Sequence, residues 1–201
     1  IDYNYGSSED LYPEDVELLL SPDYFPISEN TFPEYYKDSP SKFDKDGEIL
    51  LSFGGVSDKK LIDIKEQIQF YEKFGDIILM DPLGKLNEFK PYVKNLIQYQ
   101  SLSDVFSSRK IKFCKIAGGT SKYIAMAYKI PIIYVYRNDL EKFLIDKFKQ
   151  NDLCLLEEDL DKYFNENLLS NKLTELNNKY FKLFSFDKGY LINKKFKSLI
   201  N

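Results

Sequence analysis

The stretch from Lys115 to Tyr136 constrains the fold most. It runs Lys-Ile-Ala-Gly-Gly-Thr-Ser-Lys-Tyr-Ile-Ala-Met-Ala-Tyr-Lys-Ile-Pro and continues as an apolar run from Ile132 to Tyr136. The spacing predicts a strand ending in Gly118 and Gly119, a hydroxyl-bearing turn, a helix, and a proline that restarts a buried strand. Two adjacent glycines let the backbone turn tightly and let a ligand approach without meeting a Cβ. Thr120 or Ser121 can cap the helix, leaving amide N–H groups and the positive end of its dipole facing outward. Such a place suits a phosphate, and a tight ligand-free connection is the plainer alternative.

The rest of the chain decides how far this unit repeats. With 201 residues and 43% apolar content there is enough material for one sizeable core. Residues 1–47 read as a linker or the remnant of a preceding domain. Asp2 to Asp15 is acidic and turn-rich, Val16 to Leu20 is one apolar anchor point, and Pro22, Pro26, Pro33 and Pro40 interrupt any regular structure. From Glu48 the texture changes to short apolar runs alternating with amphipathic stretches. Strands are expected at Glu48–Phe53, Asp76–Met80, Tyr92–Tyr99, Ile111–Ile116, Pro131–Tyr136 and Leu153–Leu156. Helices are expected at Asp58–Phe74, ended by Gly75, and at Ser101–Lys110, capped by Ser101 or Ser103. Further helices are expected over Asp139–Gln150, over Leu160–Leu183 with a break near Leu169 and Ser170, and over Gly189–Ile200. Residues 48–201 are therefore expected to form an α/β domain, a Rossmann-like doubly wound parallel sheet.

Composition removes several function classes. Histidine is absent, which excludes Ser-His-Asp and Cys-His catalysis and histidine-ligated metals within this chain. Cys114 and Cys154 are the two cysteines, each in an apolar run, and are expected to be buried free thiols in a reducing cytoplasm. Lysine outnumbers arginine 26 to 2, a coding bias more than a nucleic-acid footprint, and the net charge of −4 agrees. No apolar run approaches the ~18 residues a membrane span needs. The first residue is Ile1 rather than Met, so the chain reads as processed, trimmed or part of something longer.

A second glycine pair, Gly54 and Gly55, ends the first strand. With strand order 3-2-1-4-5 the first and fourth strands are neighbours at the topological switch point, and both glycine loops border one crevice. Two such loops make a cradle for a diphosphate. The dinucleotide fingerprint G-x-G-x-x-G and the P-loop G-x-x-x-x-G-K-[ST] are both absent.

Three motifs now carry a family resemblance: Leu50-Leu-Ser-Phe-Gly-Gly-Val-Ser-Asp58, the unit from Ala117-Gly-Gly-Thr-Ser121 to Ile130-Pro131, and Phe186-Asp-Lys-Gly-Tyr190. Together with Ser21-Pro-Asp-Tyr24 they resemble the C-terminal half of GT-B-type nucleotide-sugar enzymes. The similarity is strongest to the sugar-nucleotide hydrolase of pseudaminic acid biosynthesis and to spore-coat polysaccharide proteins. The resemblance implies a glycosyltransferase or hydrolase that binds a nucleotide-sugar. It also implies an N-terminal Rossmann domain carrying the acceptor or sugar site and, in the hydrolase, a catalytic histidine. The chain departs from the pattern at three points: the family's glutamate, which holds ribose hydroxyls in the transferases, falls on Ile124, its helix-end glycine falls on Lys129, and its Asn-Gln after the fifth strand reads Asn138-Asp139.

The expected diphosphate residues are Gly54, Gly55, Gly118, Gly119, Thr120 and Ser121. Asp58, Arg137, Asn138 and Asp139 are further candidates for sugar or phosphate contacts. A helix cap accounts equally for Asp58 and Asp139, and a surface ion pair for Arg137. Tyr134 and Tyr136 read as sheet packing, and Asp81 as a turn residue before Pro82. No catalytic residue, cofactor or metal ligand is assigned. The alternative function is a non-catalytic Rossmann-like binding or regulatory module with a degenerate nucleotide site.

Overall fold

The computed structural model describes residues 43–53, 61–98, 100–116, 121–134, 139–163 and 166–183. The expected anchor at Val16–Leu20 and the terminal helix at Gly189–Ile200 lie outside them. The chain order is β1 (Phe43–Ser52), α1 (Leu61–Tyr71), β2 (Ile77–Asp81), β3 (Asn95–Gln98), α2 (Leu102–Ser108), β4 (Ile111–Lys115), α3 (Ser121–Ala127), β5 (Ile132–Tyr134), α4 (Asp139–Gln150), β6 (Leu155–Leu156) and α5 (Glu166–Leu183). Short 3₁₀ turns at Glu72–Phe74, Asn87–Tyr92 and Glu157–Tyr163 complete the described elements.

The six strands form one sheet in the order β3-β2-β1-β4-β5-β6, and every pairing is parallel. This is the doubly wound α/β layout expected above, with β1 and β4 side by side. A parallel sheet needs helices on both faces, so its inner strands are apolar throughout. All five residues of β2 are buried, as are Ile49 to Ser52 of β1. The core gathers Ile49, Leu51, Ile78, Leu79, Phe113 and Ile133 from the sheet.

The helices bury the faces their periodicity marks. In α1 these are Ile64, Ile68 and Tyr71, and Tyr71 packs 5.9 Å from the Phe113 ring. Gly75 follows the turn that ends this stretch and adopts φ 145°, a conformation glycine takes without strain. Ser101 caps α2 in a capping box: its hydroxyl accepts from the Asp104 amide at 3.2 Å, and the Asp104 carboxylate accepts from the Ser101 amide.

Three expectations are corrected. α5 runs unbroken through Leu169 and Ser170, because Leu169, Leu173, Leu176 and Tyr180 keep one buried face continuous across that point. The third strand is four residues long, not eight; Phe89 is buried and the preceding stretch winds into a 3₁₀ turn around it. β1 begins at Phe43, five residues before Glu48. Its early part bulges, so that Phe43 and Glu48 both oppose Ile111 of β4. Gly47 sits in that bulge, where a Cβ would lie 2.7 Å from the Lys110 carbonyl oxygen and 2.9 Å from that of Asp44.

α3 and α4 end alike. Lys129 takes φ 59° while its amide donates to Met126 O, and the Ile130 amide donates to Ala125 O. Asp152 takes φ 51° with the same pair of bonds to Lys149 O and Phe148 O. Both are left-handed C-terminal caps, a position that favours glycine. Lys129 is 8% exposed, its ammonium donates to Ala127 O at 2.7 Å, and burial pushes its pKa down to about 8.

Two outcomes follow from these positions. Gly47→Ala forces a methyl group against two backbone carbonyls and is expected to lower unfolding free energy by about 2 kcal/mol, read from denaturant melts. Lys129→Met removes a buried charge. Below pH 8 the folded lysine carries its proton at full desolvation cost; between pH 8 and the ordinary 10.5 it is neutral when folded and charged when unfolded, so that cost is shed. The stability of Lys129→Met relative to wild type is therefore highest below pH 8 and shrinks, by up to on the order of 3 kcal/mol, as pH rises toward 10.5. Paired melts at pH 7 and pH 10 measure it.

Candidate functional site

The strand order puts the switch point between β1 and β4. β1 leads through α1 to β2 on one side, and β4 leads through α3 to β5 on the other. Right-handed crossovers in opposite directions place α1 and α3 on opposite faces, which opens a crevice at the carboxyl ends of β1 and β4. The register fixes its floor: Leu51 opposes Lys115, and Cys114 opposes Ile132.

The residues bordering this crevice are Ser52 at the end of β1 and Phe53 after it, Lys115 at the end of β4 and Ile116 after it, and Ser121 as the first residue of α3. Ser52 and Ile116 are buried; Phe53, Lys115 and Ser121 are half-buried. The Lys115 ammonium lies 4.0 Å from the centroid of the Phe53 ring. Of the expected ligand residues the structure describes Ser121 and the backbone of Asp139, which opens α4. Gly54, Gly55, Asp58, Gly118, Gly119, Thr120, Arg137 and Asn138 lie outside the described residues.

Neighbouring positions resolve into structural roles. Asp81 ends β2, buried, with its carboxylate accepting from the amides of Lys85 at 2.8 Å and Leu86 at 2.9 Å and from the Gln98 side chain at 3.0 Å. Burial alone would raise its pKa, but the Gln98 bond and the backbone amides outweigh that and hold it below the usual carboxylate value. Asp81 thus organises the turn before Leu86, as its sequence context suggested. Ile124 is half-buried against the core. Tyr134 is fully packed at the end of β5 and its hydroxyl has no hydrogen-bond partner among the described residues. Cys114 and Cys154 are buried free thiols, both with raised pKa through burial, Cys154 to about 12. Among the described residues no cluster of three or more acidic or cysteine side chains could hold a metal.

A shallow concavity lies at the opposite end of the sheet, lined by Asp44, Gly47, Glu48, Arg109 and Lys110 among others. Two ion pairs cross it: Arg109 meets Glu48 at 3.0 Å and Lys110 meets Asp44 at 3.0 Å. It lies beyond the amino ends of the strands and is not the crevice.

Three solved structures share this architecture. The spinosyn forosaminyltransferase SpnP superposes with a TM-score of 0.51 at 11% identity, over 85% of this chain and 47% of that one. UGT2 of Phytolacca americana, complexed with UDP-2fluoro-glucose and pterostilbene, gives 0.50 at 12% identity, over 85% and 44%. The spinosyn rhamnosyltransferase SpnG, complexed with thymidine diphosphate, gives 0.50 at 11%, over 85% and 48%. The fold is GT-B glycosyltransferase-like. At these identities the likeness concerns the fold alone, and the chain spans less than half the length of each of these proteins. No family model matches the sequence, and no curated protein matches it. No helix among the described residues is long and apolar enough to cross a membrane.

Sequence reasoning passed over Lys115, because lysine is so frequent here that single lysines carry little signal. Its place as the last strand residue before a glycine pair was the available clue. The packing reading of Tyr134 has a direct test: Tyr134→Phe removes an unpartnered buried hydroxyl and is expected to raise stability by about 1 kcal/mol, seen as a higher melting temperature.

Proposed function

We propose that this chain is the nucleotide-sugar-binding half of a glycosyltransferase or a sugar-nucleotide hydrolase. The diphosphate is held by the glycine loops at Gly54, Gly55 and Gly118 to Ser121, with Asp58, Arg137, Asn138 and Asp139 available to the sugar or phosphates. The observation that carries this reading is the adjacency of β1 and β4 at the switch point, which brings the stems of both glycine loops to one crevice. The nucleotide ligands of UGT2 and SpnG support a nucleoside diphosphate as the bound group. The chemistry is electrostatic: loop amides and local cations stabilise charge on the departing diphosphate, or on the phosphate under attack, as the C1–O or P–O bond breaks. The other half, with the acceptor and any catalytic base, comes from an N-terminal Rossmann domain in the same chain or another. The hydrolase and spore-coat affinities rest on the sequence motifs.

A non-catalytic module is the second reading. It is favoured by Ile124, which leaves the ribose without the carboxylate that the transferase pattern supplies.

Calorimetric titration of the full chain, in the presence of its partner domain, with UDP-, TDP- and GDP-sugars tests both. Binding with release of free nucleotide supports the enzyme, and binding without turnover supports the module. No binding of any of the three overturns the nucleotide-sugar reading. In the binding case Gly119→Asp, which adds both bulk and negative charge to the loop, is expected to weaken the dissociation constant at least about tenfold.

A further inference from the structure

Among the described residues four buried side-chain atoms have no hydrogen-bond partner: Gln67 Oε1, Tyr71 Oη, Tyr134 Oη and Glu157 Oε1. Leaving a buried polar atom unmatched is costly, so folded proteins keep such atoms few. Three of these four belong to one cluster. Gln67 and Tyr71 stand one turn apart on the same face of α1, and the Gln67 amide donates to Glu157 Oε2 at 3.1 Å. Glu157 is the first residue after β6, and its carboxyl group neighbours the Tyr71 phenol. Tyr134 belongs to the other face of the sheet. It lies two residues beyond Ile132, which pairs with Cys114, whereas Tyr71 packs on the adjacent Phe113.

The cluster has a defined hydrogen-bonding character. Tyr71 is fully buried, and burial, followed by the nearby Glu157 carboxyl group, pushes its phenol well above the ordinary value. The hydroxyl therefore keeps its proton and is a donor. Gln67 Oε1 and Glu157 Oε1 are acceptors, and the Gln67 amide nitrogen is already engaged with Glu157 Oε2. A species that completes this set must offer two donors and one acceptor, and water does. A bare cation would serve the two acceptors and leave the phenol proton unmatched, and an ammonium would offer that proton no lone pair. Buried waters make about three hydrogen bonds, to groups of this kind.

We propose that Gln67, Tyr71 and Glu157 form a binding site for one internal water, which accepts from Tyr71 and donates to Gln67 Oε1 and Glu157 Oε1. The water completes a tie between α1, the helix that follows the inner strand β1, and the turn after the edge strand β6, 90 residues apart in sequence. Its role is to hold these two elements together over one face of the sheet, and it stands whether or not a nucleotide binds at the crevice.

A crystal structure of the full chain, at a resolution that shows ordered waters, is expected to place one water within hydrogen-bond reach of all three atoms. Tyr71→Phe is expected to lose that water and to melt about 2–4 °C lower, opposite in sign to Tyr134→Phe. In solution, rotating-frame NMR is expected to show transfer between a slowly exchanging water and the Tyr71 ring protons in the wild type. A direct Tyr71–Glu157 hydrogen bond with no water, or a metal ion in its place, overturns the assignment. An unchanged or raised melting temperature in Tyr71→Phe overturns it too, because it marks the hydroxyl as unmatched. So does the absence of water transfer to Tyr71 in the wild type.

Discussion

The pairing of β1 with β4 is the constraint on which the rest depends. These strands are consecutive in space but separated in sequence by two strands and two helices, so their ladder closes the longest loop of the sheet. Once it forms, the crossovers on either side run in opposite directions and the crevice appears as a geometric consequence. The ladder has little tolerance at its start. Gly47 is the one residue type that lets β1 pass the Lys110 carbonyl, and the Glu48 amide reaches that carbonyl at 3.1 Å. Glu48 is then fixed by Arg109 and approached by Lys94, so the amino end of the ladder is tied by charge as well as by hydrogen bonds.

The two ends of the sheet are consequently built from different materials. At the amino end Arg109 and Lys110 pair with Glu48 and Asp44, and the chain reversals are closed by left-handed caps at Lys129 and Asp152. At the carboxyl end the described residues leave a lysine on an aromatic ring beside a serine and the start of a helix.

Much of the fold was legible in the sequence. β2, β4 and α4 were readable because each is an uninterrupted apolar or amphipathic run with a glycine, proline or capping residue at its boundary. The adjacency of β1 and β4 followed from strand–helix alternation and crossover handedness. What was not legible depends on distant partners. The shortened β3 answers to the burial of Phe89, and the continuity of α5 through Ser170 answers to a buried stripe whose neighbours lie on the sheet and α3. The glycine pairs read as a candidate site from the sequence lie outside the described residues. Lys115 was not legible, since its meaning comes from a ring across the ladder on another strand.

The bulge at the start of β1 has a consequence for how anything upstream is attached. The chain that precedes Phe43 joins the central strand at the sheet's amino end, beside Lys110, and not at the crevice. A preceding segment that contributes to the crevice must therefore climb the height of the sheet. The paired part of β1, Glu48 to Ser52, spans roughly 15 Å, which about five extended residues can cover.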